Sequence, residues 1–336
     1  MKIALYASTA VVALAAFGTV AAQARDTIQI AGSSTVLPFA SIVAEEFGAT
    51  FPEFNTPVVG SGGTGGGFRQ FCEGVGENTI DIANASRPIR DSEREACNTA
   101  GVTDIREIQF GFDGIVFASS SAGADFALKP EHVYKAIAAK VAVDGALVDN
   151  PYTTWDQVDP SLPNQPIALA IPGSNHGTRE VFQEKVIGPG AETAGLPAGL
   201  SEEEAEAAVT TFRQDVVVEI AGDYTETLAR LTADKNTIGV FGLSFYDQNK
   251  DTLKVATIDG IVPSLETVAA GEYPVSRPLY FYVKGQHIGT IPGLAEFTEY
   301  FISEGMSGQG GTLESAGLIP QPAEITAEVL AAFQAQ

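Results

Sequence analysis

The chain has 336 residues, with 19 basic side chains against 42 acidic ones and a net charge of −23. Such an excess of carboxylates excludes nucleic acid as a partner, because phosphate backbones are held by clustered Lys and Arg, and it argues equally against anionic membrane surfaces. One small anion in a shielded cleft stays open, since local dipoles there outweigh the distant field.

Residues 1–24 begin with Lys2, run apolar from about Ile3 to Val20 and end on Ala22-Gln23-Ala24. That is the pattern of a secretory leader with a small-x-small cleavage site. No later stretch reaches the about 18 consecutive apolar residues of a membrane-spanning helix. The two cysteines are Cys72 and Cys97. An even count in an exported chain reads as one disulfide, with two separate buried thiols as the alternative. His132, His176 and His287 lie far apart, so no metal-ligand spacing is present and no cofactor is expected.

Apolar runs alternate with helical patterns along the remainder, which reads as an α/β chain of two lobes. TIQIAG is a short strand, followed by a helix with Phe39, Ile42, Val43 and Phe47 at helical spacing. TPVVGS is the next strand and GGFRQFCEGV the next helix; TIDIANAS is a third strand. IREIQFGFDGIVFAS reads as one long strand kinked near Gly111. KPEHVYKAIAAKV is a helix, PIALAIPG a strand, and SNHGTREVFQEKVI a loop and helix. The stretch 188–205 reads as a surface insertion, and SEEEAEAAVTTFR and YTETLARLTAD as helices. TIGVFGLSFY, TLKVATID and the aromatic-rich SRPLYFYVKG are strands, and two helices close the chain.

Three strand-to-helix junctions share one chemistry: GSSTVLP (32–38), GSGGTGGGF (60–68) and GSNHGTREVF (173–182). Each combines glycine, which lets backbone approach a ligand closely, with Ser or Thr donors ahead of a helix start. Singly, each is an ordinary cap and turn; together they point to a shared tetrahedral anion. A P-loop would need a lysine that GSGGTGGGF lacks. A dinucleotide fingerprint needs an acidic residue about 20 positions on, and Asp81 stands near that spacing. No Gly-x-Ser-x-Gly elbow occurs, and His176 beside Ser174 reads as a plain loop residue rather than part of a triad.

Seven segments in order, IAGSSTVLP, VVGSGGTGGGFRQFC, DIANASRPI, FGFDGIVFAS, GSNHGTREVF, TIGVFGLSFY and RPLYFYVKG, cover most of residues 27–305. Together they resemble the PstS-type periplasmic phosphate-binding proteins of ABC importers. The resemblance implies a two-lobed periplasmic-binding-protein fold of the type II, Venus-flytrap kind, with two hinge strands. Its lobes would be 25–112 plus 283–336 and 113–282. It also implies a periplasmic monomer with no enzymatic activity, which takes inorganic phosphate and delivers it to membrane permease subunits. The rival ligands are other oxyanions (sulfate, arsenate, a phosphonate), and the rival class is an exported phosphatase.

Carried over residue by residue, the resemblance implies that Ser34 and Thr35 hold phosphate through hydroxyls and N–H groups. Ser61, Gly62 and Gly63 would do so from the second loop, and Gly177 and Thr178 from the second lobe. Arg87 stands where many members have an acidic residue, and Pro172 where many have an arginine. Arg87 and Arg179 are therefore expected to supply guanidinium forks, and Asp113 to accept the phosphate O–H. A carboxylate there would repel sulfate, which brings no proton.

Overall fold

In the computed structural model, residues 25–174, 177–221 and 224–335 are described. The leader read in residues 1–24, and His176, lie outside them. A nine-stranded mixed sheet organises the chain. Its first part stacks Gln29–Gly32 in parallel between Val58–Ser61 and Ile82–Ala85. The strand Ser276–Lys284 then runs antiparallel to Ile82–Ala85 on one side and to the long strand Ile105–Ser120 on the other. Beyond Gly114 the long strand changes partner: Ile115–Ala118 pair with Ile238–Gly242, which continue in parallel into Leu169–Pro172 and Val217–Ile220.

The change of partner divides the hydrophobic interior. One core gathers Ile28–Phe47, Ile108, Phe110, Leu279–Val283 and the closing helices as far as Phe333. A satellite behind the same strands holds Phe68, Phe71, Cys97 and Tyr282. The second core runs from Ile115 to Val275. The two-lobed α/β architecture expected from the sequence is therefore present. Val275 packs in the second core, and Leu279, Phe281 and Val283 in the first. The long strand carries an irregularity where Leu279 faces Gly111 while Tyr280 faces Gln109, which leaves Phe110 as the extra residue. The kink expected near Gly111 is this bulge. A third segment joins the crossing: Phe112 and Ile319 exchange both backbone hydrogen bonds, at 2.8 and 2.9 Å.

Cys72 ends the helix Gly63–Phe71, Cys97 lies in the helix Asp91–Thr99, and the two are disulfide-bonded. Two expectations need correction. The helix read from Gly66 already starts at Gly63. A Cβ on Gly67 would come within 2.6 Å of Gly32 Cα, so glycine there lets the helix lie directly on the neighbouring strand. The stretch 188–205 is not merely a surface insertion. Gly188–Thr193 is helical, and Gly190 sits where a Cβ would meet the Pro130 carbonyl oxygen at 2.4 Å. In TIGVFGLSFY the strand stops at Gly242, and Leu243–Asn249 turn into a helix.

Candidate functional site

The loop after the first strand is shaped by Ser33. Its hydroxyl accepts from the N–H groups of Thr35 (3.2 Å) and Val36 (3.4 Å), while the Ser34 and Thr35 hydroxyls turn to Glu180. The N–H of Thr35, expected to point at a ligand, is thus engaged within its own turn. Across from this loop stands Gly177, where a Cβ would lie 3.5 Å from Thr35 Cα. The first and third glycine-hydroxyl junctions therefore meet.

A cleft of about 240 Å³ opens beside this contact, lined by Thr35, Asp113, Thr178, Tyr224, Phe245 and neighbouring residues. Its floor is the point where the long strand changes partner. Asp113 is buried there and faces Arg277 in antiparallel register. Arg277 is also buried. Its Nη1 meets Glu184 Oε2 at 2.5 Å, and its Nη2 donates to Thr35 Oγ1 at 2.6 Å. Glu180 Oε2 lies 3.6 Å and Asp113 Oδ2 3.8 Å from the same Nη2. Ser34 and Thr35 both donate to Glu180 Oε2, at 3.0 and 2.6 Å.

Burial pushes the Asp113 carboxyl up to about 6; Arg277 and the Gly114 N–H pull against it, while Glu180 and Glu184 push the same way as burial. Its Oδ2 has no hydrogen-bond partner among the described protein atoms. Such an oxygen, buried on a cleft wall, is suited to accept a proton from a bound molecule. Burial likewise raises the Tyr224 phenol to about 12, so it stands as a neutral donor.

The other expected residues divide. Thr35, Asp113, Gly177 and Thr178 line the cleft, and Ser34 reaches its rim through Glu180. Ser61, Gly62 and Gly63 are not among the lining; Ser61 and Gly62 are exposed, and Thr64 ties that loop to Ser86. Arg87 does not supply a fork to the cleft. Both its terminal nitrogens bind Glu93 at 2.8 Å, and its guanidinium lies over the Phe68 ring. Arg179 points the other way along its helix, to the Pro172 carbonyl and Glu219, with Phe212 beneath it. The guanidinium tied to the cleft wall is Arg277, which lies behind the lining and donates to Thr35. Its sequence signal was the charge opening the otherwise apolar and aromatic run RPLYFYV, facing an equally isolated Asp113 in GFDGIVFA.

The family model for a PBP superfamily domain matches residues 18–305. The chain belongs to the PBP superfamily. Within it, Protein SphX of Synechococcus elongatus is 31% identical over 87% of this chain and 77% of its own length. The phosphate-binding protein PstS of Staphylococcus epidermidis is 28% identical over 87% of this chain and 78% of its own. Among solved structures, that of "a possible phosphate binding protein" from Planctomyces limnophilus superposes with a TM-score of 0.70 at 27% identity. It covers 92% of this PBP chain and 97% of its own. The PstS-type resemblance carried by the seven segments is borne out.

Proposed function

We propose that this chain is a solute-binding protein that holds inorganic phosphate in the cleft and hands it to the permease of an ABC importer. The observation that carries this reading is the cleft floor. A buried guanidinium, Arg277, stands beside a buried, partly unpartnered carboxylate, Asp113, within reach of the Thr35 hydroxyl. The donors suit a tetrahedral oxyanion, and the carboxylate suits one that brings its own proton. The phosphate-binding names of the PstS and Planctomyces relatives support the same ligand.

In this reading, Thr35, Asp113, Thr178 and Arg277 touch the ligand, with Gly177 and Tyr224 completing the wall. The lobes are the parts on either side of the two crossings, near 111–114 and 276–278. Ser61, Gly62 and Gly63, outside the lining, reach the ligand in this reading only as the lobes move. The compartment is the periplasm, which the leader pattern and the Cys72–Cys97 disulfide both support. No step of bond making is required, and the relatives named for their ligand are binding proteins rather than enzymes.

Calorimetric titration with phosphate, arsenate and sulfate tests the reading. Saturable phosphate binding with sulfate at least tenfold weaker is the expected result. Equal binding of phosphate and sulfate, or no binding of phosphate, would overturn it.

A further inference from the structure

Glu180 takes up donors that border the cleft. One oxygen of its carboxylate accepts from two hydroxyls, Ser34 at 3.0 Å and Thr35 at 2.6 Å. The same oxygen lies 3.6 Å from Arg277 Nη2. Two hydroxyl donors and a guanidinium are what an oxygen of a bound oxyanion would also receive. The contact spans the cleft, because Ser34 and Thr35 belong to the loop after the first strand while Glu180 lies on the helix Gly177–Phe182.

The charge count around it is lopsided. Asp113, Glu180 and Glu184 all approach Arg277, whose other terminal nitrogen is already held by Glu184 at 2.5 Å. An incoming anion that takes Arg277 Nη2 and the Thr35 hydroxyl must move the Glu180 carboxylate out or meet it as a like charge. Leaving is easy for this side chain. It is 42% exposed, whereas Arg277 is 3% exposed and fixed in the strand. Glu184, one turn further on, keeps its hold on Arg277 while Glu180 departs.

We propose that Glu180 is a built-in competitor for the anion site: its carboxylate occupies the donors of Ser34, Thr35 and Arg277, so that a ligand binds only by displacing it. This rests on the reading of the cleft as a phosphate site. The competitor weakens every oxyanion by a common factor, because each must displace the same contact before it binds. The same contact fastens the two sides of the cleft to each other.

Calorimetry on Glu180→Gln and Glu180→Ala against the wild type tests this, with Glu219→Gln, the distant partner of Arg179, as a control that should match the wild type. Glu180→Gln should bind phosphate about tenfold more tightly, the lower end of what a hydrogen bond to a charged group is worth. Sulfate should gain by the same factor, so the phosphate-to-sulfate ratio stays as in the wild type. Glu180→Ala should go at least as far, since no amide oxygen remains to take the hydroxyls. Phosphate affinity that is unchanged or lower in both variants overturns the proposal; the lower value would make Glu180 a ligand contact. A wild-type chain that binds no phosphate overturns the phosphate reading instead. The contact is then read by small-angle scattering in anion-free buffer. A larger radius of gyration for Glu180→Ala than for the wild type supports the cross-cleft contact, and an unchanged one overturns the competitor as well.

Discussion

Asp113 and Arg277 face each other across an antiparallel strand pair, with the guanidinium Nη2 3.8 Å from the carboxylate Oδ2. Both are buried at the place where the long strand leaves one set of partners for another. The charges of the cleft floor are thus built into the two strands that join the lobes, and not into the loops above them.

Replacing Asp113 by Asn should weaken phosphate by roughly 10- to 150-fold, the range set by one hydrogen bond to a charged group. Sulfate should gain, because the repelling charge is gone. Competition calorimetry reads both. If phosphate affinity and the phosphate-to-sulfate ratio stay as in the wild type, Asp113 only shapes the crossing.

The same substitution should change the pH dependence of stability. Burial raises the Asp113 carboxyl from 3.8 in the unfolded chain to about 6 in the folded one. The folded state therefore holds that proton more tightly, and stability falls as pH rises from about 4 to 6. Asp113→Asn should accordingly unfold at a higher temperature than the wild type at pH 7 and above, with the gain shrinking as pH drops from about 6 to about 4. Thermal melts across that range check it, and a gain that grows toward acid would contradict the assignment.

Arg277→Met should cost phosphate binding about 100-fold or more, since Arg277 is the guanidinium that stands against the lining residues Thr35 and Asp113. Arg277→Lys keeps the charge but loses the fork that reaches Thr35 and Glu184 together, and should fall between the two. Titration of both variants, each checked for a folded circular dichroism spectrum, decides. A methionine variant that still binds like the wild type would move the cationic anchor elsewhere.

Gly67→Ala should destabilise the chain by about 1–3 kcal/mol, the usual cost of forcing extra volume into a tight contact. Its Cβ would meet Gly32 Cα at 2.6 Å and the Ala31 carbonyl oxygen at 3.0 Å, both backbone atoms that cannot turn aside. Gly76→Ala, where nothing lies within 4 Å, serves as the comparison. Denaturant melts of the two should separate clearly.

Breaking the Cys72–Cys97 bond, by reduction or by a paired Cys→Ser variant, should lower stability by roughly 3–4 kcal/mol on the chain-entropy account. The loop it closes spans 25 residues and includes the third strand, Ile82–Ala85. A reduced chain with an unchanged melting midpoint would show that the surrounding packing alone holds that loop.

Strands and helices with clean periodicity were legible in the sequence, including the whole length of Ile105–Ser120 and its irregularity at Gly111. The disulfide followed from two cysteines in a chain that opens on a leader pattern. The site was legible where donors come from loop chemistry, as with Thr35, Gly177 and Thr178. It was not legible where a charge could point either way. Arg87 and Arg179 stand at loop and helix starts, as anion-binding arginines do. Yet Glu93 lies six residues from Arg87, and Glu219 stands on a strand that only the fold brings to Arg179. Arg277 could be found only by pairing two strands far apart in sequence and asking what neutralises a lone charge in each. Glu180 follows Arg179 by one position, so on a helix its side chain turns toward the cleft as that of Arg179 turns away. The helix at 243–249 was missed because Val240, Phe241, Leu243 and Phe245 look continuous until Gly242 breaks the run.

The paired hydrogen bonds between Phe112 and Ile319, with the Ser244 hydroxyl donating to the Leu318 carbonyl oxygen at 2.9 Å, have a mechanical consequence. Two strands alone would let one half of the molecule swivel against the other about the line joining them. A third pass of chain, anchored to both sides of the crossing, resists that torsion and leaves bending as the soft direction. Motion is then confined to something like a book opening on its spine. The Thr35 and Gly177 faces can part and meet again only in the same alignment each time.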